Sequence, residues 1–283
     1  MDPGKTFNLP RLDWTRDWAD PRDWLPGDDL CRAWWQGLKR RSPRSERPSN
    51  VDLREWCSPI SDAGLLGLGA PAAVIGLVEY FERRAAGNRL DLSPAFLHEV
   101  VQRTHQAAAT GSLRNLLKAL ARFGSPPQRL FASLSSSELP TLDPLLFGYA
   151  RNWDELRYIR LDAAELTGSQ VLRSLQNFLI AGFAVACGVS LPDSVSIADE
   201  IPYPTRLDAI TGGHALLIVG FDDDRRIRSE RGALRIRNSW SDSWGDAGYG
   251  WLPYRCIEDR LAADLWTVVK PDWLTSGELD RPV

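Results

Sequence analysis

The 283-residue chain holds only three histidines, one methionine and four cysteines. Cys31, Cys57, Cys187 and Cys256 stand far apart, with no C-x-x-C pair and no histidine at ligand spacing. That argues against a zinc site or a disulfide framework and fits a reducing cytoplasm, so a cytoplasmic protein without metal is expected. Charge of one sign is also lacking: 34 basic against 37 acidic residues leave a net charge of -3, and nothing global draws the chain to nucleic acid or to an anionic membrane. No run approaches the roughly 18 uncharged apolar residues of a spanning helix. The opening MDPGKTFNLPRLDW has neither the apolar centre nor the small-residue cleavage site of a secretory signal. One basic run, LKRRSPRSERPSN from Leu38 to Asn50, carries no interleaved aromatics and reads as a solvated linker.

What is present suffices for a large core over one or two subdomains, with 43% hydrophobic and 10% aromatic residues. Five of the 12 tryptophans (14, 18, 24, 34 and 35) fall in the first 50 residues among prolines 10, 21, 26, 43 and 48. This segment is expected to wrap the core, pinned by its aromatic side chains. From Pro71 to Arg84 the spacing of Val74, Leu77, Val78 and Phe81 predicts a helix with one apolar face. LSPAFLHEVVQRT predicts a second, capped by Ser93, and SLRNLLKALARFG a third, stopped by Gly124. Beyond about residue 155 strand patterns take over, apart from the helical SQVLRSLQNFLIAG. Tyr158 to Leu161, FAVACGVSL, HALLIVGFDDD, ALRIRNSW, GYGWLPY and LWTVVK follow as strands. Helices first and antiparallel strands second make an α+β protein.

GLGAPA, Gly67 to Ala72, fits the G-x-G-x-x-A phosphate fingerprint. EWCSPISDAGLL, however, puts a proline, two serines and an aspartate where the preceding strand belongs, so no nucleotide cofactor is expected. FDDD at 221–224 reads as a solvated strand-end turn, and His98 and His105, two helical turns apart, as surface residues.

A different constellation lies further on. GGHALLIVGFDDD carries His214, and Asn238 follows 24 residues later in RNSWSDSWGDAGYG. A histidine and an asparagine on adjacent strands can meet, the amide oxygen fixing the imidazole tautomer while the other ring nitrogen faces a cleft. These segments resemble the papain-like cysteine peptidases of the C1 family, bacterial type, whose histidine sits in a GHA strand and whose asparagine opens an NSW-x-x-x-WG-x-x-GY stretch. The resemblance extends over residues 51–269 through VDLREWCSPISDAG, LSPAFL, GSLRNLLKALARFGSPP and LIAGFAVACGVSL. WTRDWADPRDWL is similar to a leader of bacterial members and is short for a full inhibitory propeptide.

The resemblance implies a papain-like fold: a leader (1–50), a helical left subdomain (51–150), a right subdomain built on an antiparallel β-sheet or barrel (151–270) and a tail (271–283). An open cleft is implied between the subdomains. The family nucleophile lies in C-G-[SA]-C-[WY] some 130 to 150 residues before the histidine. Aligned on the glycine, that motif falls on Leu66 to Ala70, with Gly69 at the nucleophile and 145 positions before His214. Ala63 falls where the family keeps its oxyanion glutamine, Leu66 replaces a disulfide cysteine, and Ala70 replaces the usual tryptophan. Glycine offers no thiolate, and Cys57, Ser58 and Ser61 lie ahead of the turn into the helix. The expectation is therefore a pseudoenzyme with relic positions Ala63, Gly69, His214 and Asn238. Its cleft would be lined by Gly64, Gly67, Leu68, Ala70, Gly213 and Trp240, and a protein or peptide would be the partner. The alternative is a repurposed enzyme using His214, oriented by Asn238, as general base on a small acyl or biosynthetic substrate.

Overall fold

A computed structural model describes residues 13–29, 31–32, 47–104, 110–131, 142–150, 153, 155–196, 198–276 and 279. The first of the predicted helices, Gly69–Ala86 (α1), starts two residues before the predicted Pro71 because a 3-10 turn at Ala63–Leu66 feeds it directly through Gly67. Gly67 adopts φ 78°, the left-handed region open to glycine, and its N–H closes the turn on Ala63 and Gly64 carbonyls. The sequence predicts one apolar face, yet sixteen of the eighteen residues of α1 are buried. The helix runs between the sheet and three other helices, so nearly all of its surface is covered. Its buried charges are answered: Glu79 accepts from Leu92 N at 2.8 Å, and Arg84 donates to Gly182 O at 2.6 Å.

Pro94–Thr104 (α2) begins on Ser93, whose Oγ accepts from Phe96 N at 3.1 Å. Leu113–Phe123 (α3) begins on Ser112 and ends at Gly124. A short helix, Pro144–Tyr149 (α4), precedes Gly168–Ile180 (α5), which opens on a Thr167/Gln170 capping box. Two further short helices are Tyr254–Glu258 (α6) and Pro271–Thr275 (α7), and Trp273 of α7 stacks on Phe81 of α1 at 5.2 Å.

The strands are Asn50–Asp52 (β1), Arg157–Arg160 (β2), Val185–Pro192 (β3), Ile210–Ile227 (β4), Glu230–Arg237 (β5), Tyr249–Pro253 (β6) and Ala262–Val269 (β7). They form one antiparallel seven-stranded sheet in the order β2-β7-β3-β4-β5-β6, with β1 paired to β4 at Val51 and Phe221. The sheet does not close on itself, so the barrel of the sequence reading is corrected to an open sheet with β2 and β6 at its ends. The 221–224 stretch is corrected too, because β4 continues through it to Ile227 across a bulge between Asp222 and Arg226. Its carboxylates are paired, Asp223 with Arg47 at 2.5 Å and Asp224 with Arg231 at 2.8 Å. Most of the basic 38–50 run lies outside the described residues.

Candidate functional site

The face where α1 meets the sheet brings the predicted residues together. Gly64 packs so closely on Ser239 and Trp240 that a Cβ there would collide with both. This fixes the turn that aims α1, and Gly69 becomes the first helical residue, facing His214 of β4. A Cβ on Gly69 would fall onto His214 Cε1 and Asp13 Oδ2. His214 Nε2 lies 2.9 Å from Asn238 Oδ1, an atom that only accepts, so the Nε2 position carries a hydrogen. Trp240 stacks on the imidazole at 4.6 Å, and His214 is fully buried. Ala63 has no side-chain donor to offer; its own N–H donates to Ser61 Oγ at 3.0 Å. Leu68 and Ala70 are buried in the core cluster, while Leu66 is half-exposed.

The cleft is not open, contrary to the sequence expectation. The leader lies in it, held by carboxylates and main-chain bonds as much as by aromatic rings. Asp13 Oδ2 accepts hydrogen bonds from the N–H groups of Gly69 and Ala70, and Asp13 Oδ1 lies 3.3 Å from His214 Nδ1. An anion at the amino end of an eighteen-residue helix is favoured by the free N–H groups and the helix dipole. Asp13 N and Trp14 N donate to Gly213 O at 2.9 and 3.1 Å, and Thr15 N donates to Gly111 O on the opposite wall at 3.1 Å. The Trp14 indole lies over Gly188 of β3 and Gly213 of β4, where a Cβ at either position would collide with it. Its Nε1 donates to Asp264 Oδ2 at 3.0 Å.

Further along, Asp17 accepts from Ser112 Oγ at 2.5 Å and from Arg114 N at 3.0 Å, at the start of α3. Asp23 takes the Arg114 guanidinium in a fork of 2.8 and 2.6 Å. Arg160 of β2 joins the cluster, 3.0 Å from Asp162 and 2.7 Å from Asp264. Four carboxylates (Asp17, Asp23, Asp162, Asp264) thus surround two guanidiniums. Burial, together with the neighbouring Asp17 and Asp162 carboxylates, pushes Asp264 up to about 7 against the pull of Arg160 and the Asp17 N–H. Because Ser112 both caps α3 and binds Asp17, Ser112→Ala should cost about 1–2 kcal/mol, read as a fall of a few degrees in Tm.

Sequence reasoning brought Gly69, His214 and Asn238 to one place and missed Asp13, Trp14, Asp17, Asp23 and Asp264. A signal was there: the leader carries three Asp-Trp dipeptides, at 13–14, 17–18 and 23–24. None of the cysteines reaches the site. All four are buried, and burial raises the Cys31 thiol to about 11 and Cys256 to about 12, and raises Cys57 and Cys187 as well. Ser58 Oγ accepts from Arg237 at 3.2 Å. His98 is half-buried rather than on the surface, and burial lowers its pKa. His105 lies outside the described residues. Among the described residues no group of His, Cys, Asp and Glu could hold a metal ion, and no helix is long and apolar enough to cross a membrane.

Comparison with known proteins places this architecture. Residues 174–258 match the papain family cysteine proteases. An uncharacterized peptidase C1-like protein of Acanthamoeba polyphaga mimivirus is 27% identical over 120 residues, 40% of this chain and 37% of the viral protein. The match therefore takes in well under two thirds of that relative. Among solved structures, xylellain, a cysteine protease from Xylella fastidiosa, superposes with a TM-score of 0.71 at 24% identity over 94% of this chain and 98% of its own. Digestive procathepsin L 3 of Tenebrio molitor larval midgut gives 0.62 at 16% identity, over 83% of this chain and 79% of its own. At such identities the structural likenesses speak for the fold.

Proposed function

We propose that this chain, which belongs to the papain-like C1 peptidase family, is a non-catalytic member whose cleft binds polypeptide and which serves as a scaffold or regulator. The observation that carries the reading is the side-chain-free start of α1: Gly69 faces His214, and the space beside it is taken by the Asp13 carboxylate. Peptidases of this kind need a thiolate at the end of a helix beside an imidazole, and donors preset for the developing oxyanion. Here the helix-end N–H groups are spent on Asp13, and Ala63 brings no side-chain donor. Loss of one oxyanion donor alone typically costs on the order of 10²–10³ in rate.

The alternative, His214 as general base on a small substrate, loses its room. Nδ1 of His214 faces Asp13, Nε2 faces Asn238, and Trp14 fills the adjoining slot. General acid–base help alone is worth about 10²–10⁴, which leaves such chemistry to a substrate that is already reactive. The purified chain and its His214→Ala variant, assayed on unfolded-protein and dipeptide substrates, should show no His214-dependent turnover. Cleavage that disappears with His214→Ala would overturn the reading.

A further inference from the structure

The core reads the leader's repeats selectively. From the first Asp-Trp pair it takes both side chains, the carboxylate at the head of α1 and the indole over the two sheet glycines. From the second it takes the carboxylate alone: Asp17 is buried at the head of α3 while Trp18 is 90% exposed. Thr15 and Arg16 between them are exposed. The first two pairs therefore spell Asp-Trp-x-x-Asp, and the third adds Asp23, held by Arg114 in a fork, and Trp24, packed against the core.

We propose that the cleft is a receptor site for acidic-aromatic segments of the form Asp-Trp-x-x-Asp on a partner polypeptide, and that the leader is the resident such a segment displaces. This rests on the polypeptide-binding reading above. The leader's main chain meets the core at Gly213 and Gly111, and again where Asp17 N donates to Asp264, where the Trp18 carbonyl accepts from Arg114 and where the Trp24 carbonyl accepts from Arg160 N, with a single bridge from Trp24 to Ile159. It supplies both carboxylate partners of Arg114, Asp17 and Asp23, whereas Arg160 is also held by Asp162 and Asp264 of the core. A partner segment offering the same carboxylates and indole gains the same helix-end bonds, glycine slot and Asp264 acceptor. The exposed Trp18 leaves room beside the cleft for further contact, and indoles are favoured anchors at interfaces.

The test uses a fluorescent peptide of residues 10–25, PRLDWTRDWADPRDWL, added to the full chain and to its Asp13→Ala/Asp17→Ala variant, whose own leader has lost its two helix-end anchors. The peptide should bind the variant at least about tenfold more tightly than the wild type. Placing Asn at its first aspartate and Ala at its first tryptophan should weaken binding at least about tenfold. Should the variant fail to fold, the wild-type chain nicked by an inserted protease site between residues 33 and 46 should exchange its leader for the labelled peptide. Equal binding by the substituted peptide, or neither binding nor exchange, would overturn the proposal. A wild-type dimer abolished by Asp13→Ala/Asp17→Ala would overturn it in favour of leader exchange between two copies. Mass spectrometry of the recovered peptide separates the two readings, since a cleaved peptide would sink the non-catalytic reading while leaving the recognition pattern standing.

Discussion

Gly188→Ala should expel Trp14 and release the leader while leaving the core folded. Gly188 lies on β3 with β4 on one side and β7 on the other, so its backbone is held by both neighbours. Its missing Cβ is replaced by the Trp14 ring itself. Alanine is at home in a strand, so the cost falls on the indole rather than on the sheet. Losing a packed tryptophan is worth about 3 kcal/mol, which raises the open fraction of the leader by about 10². Limited proteolysis at residues 13–18 and hydrogen exchange at Asp13, Trp14 and Thr15 N–H read the change. Gly148→Ala, at a position where a Cβ meets nothing within 4 Å, is the control. Unchanged protection in Gly188→Ala would mean that the indole does not depend on the bare strand.

The second large effect is on pH. Asp264 is fully buried in the folded chain beside the Asp17 and Asp162 carboxylates, and its carboxyl stands at about 7. An acid whose pKa is raised by folding takes up a proton as the chain folds. The stability contributed through Asp264 is therefore fully present below the ordinary carboxylate value and is lost as pH rises through about 7. The groups facing Asp264 are the Trp14 indole N–H and the Asp17 N–H and carboxylate of the leader, Arg160 of β2 and Asp162. The unfolding constant should increase from about pH 4 to about pH 7, by at most about tenfold per pH unit. Asp264→Asn, fixed in a neutral state, should flatten the profile. An Asp264-dependent loss of stability as pH falls through this window would contradict the linkage.

Much of this molecule was legible in its order of residues because the relevant signals are local or periodic. Ser93, Ser112 and Gly124 mark helix ends that the structure keeps, and the His214 and Asn238 strands lie side by side as their spacing demands. The leader's docking was not legible. Asp13 meets Gly69 across 56 residues and His214 across 201, and no periodicity spans such separations. The aromatic content pointed to packing by rings, whereas Trp18 stands in solvent and Asp17 beside it is buried. The triple Asp followed by Trp was the available clue, and it becomes readable once two helix ends and an arginine face it. The bulge in β4 was hidden for another reason. Three consecutive aspartates look like a turn, and only the arginines across from Asp223 and Asp224 explain how a strand carries them.

The three-residue strand Asn50–Asp52, pinned to β4, sets how far a released leader can travel. From Trp24, whose carbonyl otherwise receives Arg160 N at 2.8 Å, to Asn50 the chain has 26 links, a contour of at most about 90 Å. A freed leader therefore stays near its own cleft at a local concentration of order mM. Any competitor must win against that tether, so a polypeptide bearing several Asp-Trp segments holds an advantage over one bearing a single copy.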